Sequence, residues 1–365
     1  MPVSISGTNG VVFPDNSLQT AAASPYTLKN KIINGDFRID QRNAGASVST
    51  ADAEIFTVDR WAILENGSMV FSAQQSTTVP SGAGFVNSIL ITTATSASPS
   101  SSTRSQFAQY IEGFNVADLG WGTASAKTVT LSFWVRSSLT GTFGGALGNS
   151  GGARSYPFTY TISSANTWEQ KTITIAGDTS GTWLTNNGRG INLYFDLGMG
   201  SALLGTAGSW AGADYRGATG DVKLSETSGA TFYITGVQLE VGSTATPFER
   251  RLYNQELANC QRYYFKVGLV TDSALATGLS TSSSSTRVYM PFPVTMRTAP
   301  TLSQNALWAT DGANYNAVVS SIGTVNVNNN SARIQFNTNA VMTDYRPVLI
   351  VPSSTSGYID GTSEL

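Results

Sequence analysis

The chain contains no histidine among its 365 residues. That absence removes the commonest general base, the usual partner of a nucleophilic serine and the commonest transition-metal ligand together. Its single cysteine, Cys260, excludes an intrachain disulfide. Charged residues make up only 12%, 21 basic against 23 acidic, for a formal net charge of −2. The basic residues are spread out, so no stripe offers a footprint for phosphate backbones and nucleic-acid binding is not expected. No apolar run approaches the roughly 18 residues of a membrane span, and Met1-Pro2-Val3-Ser4 lacks the regions of a signal peptide. Neither membrane insertion nor a cofactor is expected.

What is present is 41% hydrophobic residues, 36 glycines and abundant Ser, Thr and Asn. These suit many short strands joined by tight turns, an all-β chain of two or three domains. At the start, Val3 and Ile5 alternate with Ser4 and Ser6, Gly7-Thr8-Asn9-Gly10 reads as a turn and Val11-Val12-Phe13 as a second strand. A hairpin this small needs a partner surface, so residues 1–25 read as an attachment or oligomerisation arm.

From about 26 to 250 the pattern predicts strands at 32–39, 60–64, 69–74, 88–93, 105–112, 128–136, 158–162, 168–175, 191–197 and 231–240. In the sixth, Val129, Leu131, Phe133 and Val135 face one way and Thr128, Thr130, Ser132 and Trp134 the other. About ten such strands predict two antiparallel sheets face to face, a jelly roll or near relative. Residues 141–153 and 198–220 read as glycine-rich loops. Within the connecting segment 251–267, Arg251–Lys266 is the one convincing helix. Its stripe of Tyr253, Leu257, Cys260, Tyr264 and Val267 would pack on a sheet or against symmetry mates. Residues 268–365 return to strands and read as a smaller C-terminal β-sandwich.

Three stretches resemble bacteriophage tail-fibre and related virion proteins: residues 10–20 (GVVFPDNSLQT), then Asn34-Gly35-Asp36-Phe37 with Gln41-Arg42 and Asp59-Arg60-Trp61, answered by residues 231–251, and finally 256–264 with 293–301. The middle set resembles a carbohydrate-binding-module-like jelly roll. The resemblance implies a virion location in tail or fibre after assembly in the bacterial host cytoplasm, an arm docked on other virion proteins and a homotrimer. It would give Val11, Phe13, Tyr253, Leu257, Cys260 and Tyr264 an oligomerisation role. It also implies host-surface polysaccharide as a partner, and a structural calcium that would place Asp36 and Glu240 in range.

Chemistry is thinly supported. Gly148-Asn149-Ser150-Gly151-Gly152 matches the nucleophile-elbow pattern but has no histidine to serve it. Acid pairs of the glycosidase kind could be drawn from Asp52 with Glu54, Asp196 with Asp214, or Asp221 with Glu226, none in a motif. No catalytic residue is therefore expected. Sugar rings stack on exposed aromatics while amides and charges read hydroxyls. Trp121, Trp183, Trp210 and Tyr215, with Asn187, Arg189 and Asp214, lie in loops and form the candidate glycan site. Trp61 and Trp134 are assigned to packing. Three readings stand: a non-catalytic glycan-holding virion protein, a purely structural adaptor, collar or capsid-attached fibre, and a capsule depolymerase.

Overall fold

A computed structural model describes residues 28–51, 54–312, 317–339 and 342–365, together with three short strands, Ser4–Ser6, Gly10–Val12 and Leu18–Gln19. Those three pair as a small antiparallel sheet. Phe13, Asp52 and the side chain of Val11 lie outside the described residues.

Alternation in Val129–Ser137 builds the main body. Val129, Leu131, Phe133 and Val135 are all fully buried between two six-stranded sheets. One sheet, called here the open sheet, orders Glu169–Ile175, Val129–Ser137, Thr231–Val241, Ser88–Thr95, Val70–Ser76 and Val48–Thr50. The other, the covered sheet, orders Ser155–Ile162, Gly141–Gly148, Arg189–Asp196, Ser105–Glu112, Trp61–Glu65 and Glu54–Val58. All pairings within both sheets are antiparallel, as expected for a sandwich. The core between them is aromatic, with Trp61 stacked on Phe107 at 4.8 Å between ring centroids. Burying each such ring contributes roughly 1.5–3 kcal/mol.

Residues 32–39, expected as a strand, are instead an irregular plug. The reason is local. Asn34 and Phe37 take left-handed φ of 56° and 57°, which no strand accommodates. The Asn34 side-chain amide donates to the carbonyls of Ile39 (2.8 Å) and Asp59 (2.9 Å), and the Asn34 main-chain carbonyl accepts the Trp61 indole N–H at 3.0 Å. Gly35 sits so close to Val237 that a Cβ would lie 2.2 Å from its carbonyl oxygen. The plug is thereby stitched to the last strand of the open sheet, with Lys31 N donating to Leu239 O and Val237 N to Gly35 O.

Most of the expected glycine-rich loop 141–153 is also different, since Gly141–Gly148 is a strand. Its glycines let neighbours approach. At Gly145 a Cβ would meet Tyr194 O at 2.3 Å, and at Gly144 it would meet the Asp221 carboxylate at 2.3 Å. Of 198–220, only the parallel pair Leu204–Gly205 and Gly217–Ala218 is strand.

The helix is shorter than expected, Tyr253–Gln261, and Tyr264 begins a strand, Tyr264–Gly268. That strand joins Tyr358–Thr362 and Thr301–Asn305 in a three-stranded sheet. Beyond it, the expected second sandwich is a closed six-stranded barrel, ordered Ala276–Ser282, Ser285–Pro291, Ser331–Thr338, Ala317–Val327, Leu307–Thr310 and Pro347–Pro352. Closure follows because Ala276–Ser282 pairs on both sides, with Tyr289 and Leu349 each opposite Thr277. A closed barrel leaves no sheet edge open to further pairing.

Candidate functional site

The loop tryptophans form a packing cluster. Trp121, Trp183 and Trp210 meet edge to face at centroid distances of 4.8, 5.3 and 5.5 Å. Each indole N–H is spent on a backbone carbonyl: Trp121 on Lys127 at 2.8 Å, Trp183 on Ser180 at 3.1 Å and Trp210 on Ala176 at 2.7 Å. Trp121, only 7% exposed, belongs to the core. It cannot be the solvent-facing platform the sequence reading made of it. Beside it Trp183, half-buried, lines an apolar hollow of about 170 Å³ with Leu119, Leu184 and Ile191.

The remaining residues of that candidate site are not brought to these rings. The Asn187 carbonyl accepts Arg297 Nη1 at 2.9 Å, and the Arg189 guanidinium lies 3.7 Å from the Tyr110 ring centre and donates to the main-chain oxygen of Leu365. Both therefore hold the C-terminal residues against the covered sheet. Asp214 is bridged by Arg216 at 2.8 Å. Tyr215 lies over Gly205, where a Cβ would fall 2.3 Å from its ring.

Asp36 and Glu240 are each engaged within the protein. Asp36 pairs with Arg38 at 2.5 Å. Glu240 accepts the Thr246 N–H at 2.8 Å, the Thr246 hydroxyl at 2.6 Å and the Gln238 amide at 2.8 Å, with Lys29 at 3.7 Å. Among the described residues no group of three acidic or cysteine ligands gathers at a point. Both carboxylates of the expected calcium site are thus already engaged by groups of this chain. The helix stripe faces inward as well: Cys260 is fully buried and Tyr264 4% exposed, Leu257 packs beside Cys260, and only Tyr253 is exposed. Cys260 and Tyr264 are thus spent within the chain, and Tyr253 is the stripe residue that reaches the surface.

The acid pairs rearrange too. Asp196 meets Asp221, not Asp214, and Lys223 bridges them, 2.9 Å from Asp196. Both carboxylate side chains are wholly buried under Gly144 and Gly217. Burial first, then the Asp196 charge, pushes the Asp221 carboxyl up to about 8, against the lowering pull of Lys223. A sugar bond flanked by two acids needs an open cleft between them, which this pair does not present. Residues 148–152 lie at the turn from one covered-sheet strand to the next, without a helix to form an elbow.

A different tryptophan is available. Trp134 points to the outer face of the open sheet, opposite Gln170 and Thr235 in its neighbours. It is half-buried, and its indole N–H has no partner among the described residues. With Ser132, Gln170 and Gly236 it floors a groove of about 310 Å³. Phe85, Phe248 and Arg250 form the wall, the two rings edge to face at 5.2 Å and the guanidinium 4.7 Å from the Phe85 centre. Gly236 takes a left-handed φ of 64°, and a Cβ there would strike the Phe85 ring at 2.5 Å. The sequence pattern already put Trp134 opposite the core-facing residues; its assignment to packing is corrected.

Comparison with known proteins yields fold likenesses only. The chain is similar to the enzymatically active domain of bacteriophage CBA120 tailspike protein 4, with 13% identity, 60% of this chain and 22% of that chain covered, and a TM-score of 0.32. The chain thus spans about a fifth of that tailspike chain. It is also similar to a CBM4 module, with 15% identity, coverage of 57% and 98%, and a TM-score of 0.29. A third likeness is to the family 11 carbohydrate-binding module from Clostridium thermocellum in complex with a β-1,3-1,4-mixed-linked tetrasaccharide (11% identity, coverage of 55% and 98%, TM-score 0.27). No protein-family model and no curated protein matches the chain.

Proposed function

We propose that this chain is a non-catalytic virion protein that holds a host-surface glycan in the groove floored by Trp134. The observation carrying the glycan reading is the unspent indole N–H of Trp134 beside an accessible ring face, on a sheet whose outer surface is hydroxyl- and amide-rich. A pyranose presents an apolar face for stacking and hydroxyls for hydrogen bonds. Trp134 supplies the ring and a donor, Gln170 an amide, Ser132 a hydroxyl and Arg250 a charged donor at the rim. The virion setting, with the leading arm docked on another virion component in a homotrimer, is supported by the fibre-like segments at 10–20, 34–61 and 231–301. With Cys260 and Tyr264 buried, the arm and the exposed Tyr253 are the parts of the proposed trimer contact still open.

The test is calorimetric titration of the full chain with a panel of host-surface polysaccharides. Trp134→Ala should weaken binding by about tenfold or more, while Trp183→Ala leaves it within about twofold. Equal binding by parent and Trp134→Ala removes the groove from the reading. Release of new reducing ends during incubation overturns the non-catalytic part. A chain that binds none of the panel points to the purely structural adaptor, collar or capsid-attached fibre.

A further inference from the structure

The cations of this chain are mostly answered from within. Arg154 meets Asp178, Lys31 meets Asp118, Arg262 meets Glu112 and Lys223 meets two aspartates. Arg104, Lys127 and Arg346 have no side-chain partner among the described residues, but two arginines on the barrel stand side by side without one. Arg287 and Arg333 stand on the neighbouring strands Ser285–Pro291 and Ser331–Thr338, and neither has an ion-pair or hydrogen-bond partner among the described residues. Their places are fixed by register, with Arg287 opposite Gln335 and Arg333 opposite Tyr289. The two cations are therefore diagonal neighbours on one face, outward because Val288, Ile334 and Phe336 fill the barrel interior. Like charges so placed repel, and an anion between them relieves the repulsion.

The surroundings say what kind of anion. Arg287, Arg333, Asn326 and Gln335 enclose a hollow of about 80 Å³, the size of one carboxylate or sulfate group and little more. Asn326 lies opposite Arg333 on the far side and brings a second amide. Tyr289 is 61% exposed beside it and offers a ring face. Past Tyr289, exposed Leu279 and Leu349 continue the surface as an apolar strip, since Leu279 lies opposite Arg287 and both Tyr289 and Leu349 lie opposite Thr277. Guanidinium forks match planar oxyanions, amides read hydroxyls, and an exposed ring stacks on a sugar's apolar face.

The geometry points to a second binding site, on the barrel, for a saccharide that carries an oxyanion, a carboxylate or a sulfate ester. It stands apart from the Trp134 groove and does not depend on it. Arg287 and Arg333 clamp the oxyanion, Gln335 and Asn326 take adjoining hydroxyls, and Tyr289 seats the ring.

The experiment titrates the full chain with four probes: an oligogalacturonate, a sulfated oligosaccharide, a neutral cello-oligosaccharide and inorganic phosphate. The expected result is binding of at least one acidic oligosaccharide that falls about tenfold or more in Arg287→Gln/Arg333→Gln and weakens in high salt. Comparing the two acidic probes tells carboxylate from sulfate. Both arginines are exposed, so an unchanged melting temperature confirms an intact fold. Trp134→Ala should leave this binding untouched, whatever it does to neutral glycan. The site is overturned if the double variant binds the acidic probes as the parent does, or if neutral and acidic oligosaccharides bind alike once Trp134→Ala has removed the groove. Phosphate binding as tightly as the oligosaccharides would also overturn it, because the saccharide would then add nothing.

Discussion

The two sheets of the sandwich share one core but treat their outer faces in opposite ways. The covered sheet is sealed. Arg60 crosses it fully buried, pairing with Glu364, donating to Tyr110 O and stacking 3.6 Å from the Tyr263 ring centre. Beside it Arg42 pairs with Glu364 at 2.7 Å, and Glu112 accepts Arg262 at 2.6 and 2.8 Å and the Tyr263 hydroxyl at 2.6 Å. The Leu365 side chain completes the seal over Ala108, Tyr110, Ala146 and Tyr194. The open sheet carries no such network over Trp134, Gln170 and Thr172. Ion pairs thus seal the covered face, whereas on the open face they are confined to one side, where Glu240 meets Lys29, and leave the Trp134 groove clear.

The comparison can be broken most forcefully on the sealed side. Arg60→Ala leaves Glu364 with Arg42 alone and strips the Tyr110 carbonyl and the Tyr263 ring of their buried partner, and should lower unfolding stability by about 3–5 kcal/mol in a denaturant titration. A loss under about 1 kcal/mol would mean that the seal is decorative. Gly35→Ala drives a methyl into Val237 O and should destabilise by about 1–3 kcal/mol, read the same way.

Buried acids sharpen the contrast through pH. Burial, opposed by Arg42, raises the Asp59 carboxyl to about 6, and Asp221 stands at about 8. Each keeps a proton in the folded chain that the unfolded chain releases near pH 4. Their contribution is whole below about pH 4 and is lost as pH rises, through about 6 for Asp59 and about 8 for Asp221. Melting temperature should therefore fall between about pH 4 and 8, and Asp221→Asn should flatten the upper half of that slope. An identical slope in the variant rules Asp221 out as its source. The smallest stability effect belongs to the open face, where Trp134→Ala should cost about 1 kcal/mol or less while removing glycan affinity. A large loss of stability there would return Trp134 to the packing role first assigned to it.

Much of the framework was legible in sequence because it depends on local periodicity. The strand expected at 105–112 is the strand observed, and Val129 to Val135 bury as their alternation requires. The candidate site was less legible. Loop position was taken as a sign of exposure for Trp121, yet loops fold back over a sandwich end and use indole N–H groups as fasteners. Asn187 and Arg189 read as sugar ligands because their partners, Arg297 and Leu365, are more than a hundred residues away in sequence. For Trp134 the signal was present in the alternation and was given the wrong weight.

By itself, the sequence determined that this is a layered β protein without an intrachain disulfide or a histidine, since composition and the two-residue period of a strand act over a few neighbours. Only the tertiary structure decided which sheet face is sealed and which is open. It also decided that the C-terminal strands close into a barrel and that Arg287 and Arg333 stand together unanswered. Those outcomes turn on pairing between residues far apart along the chain, which no local pattern encodes.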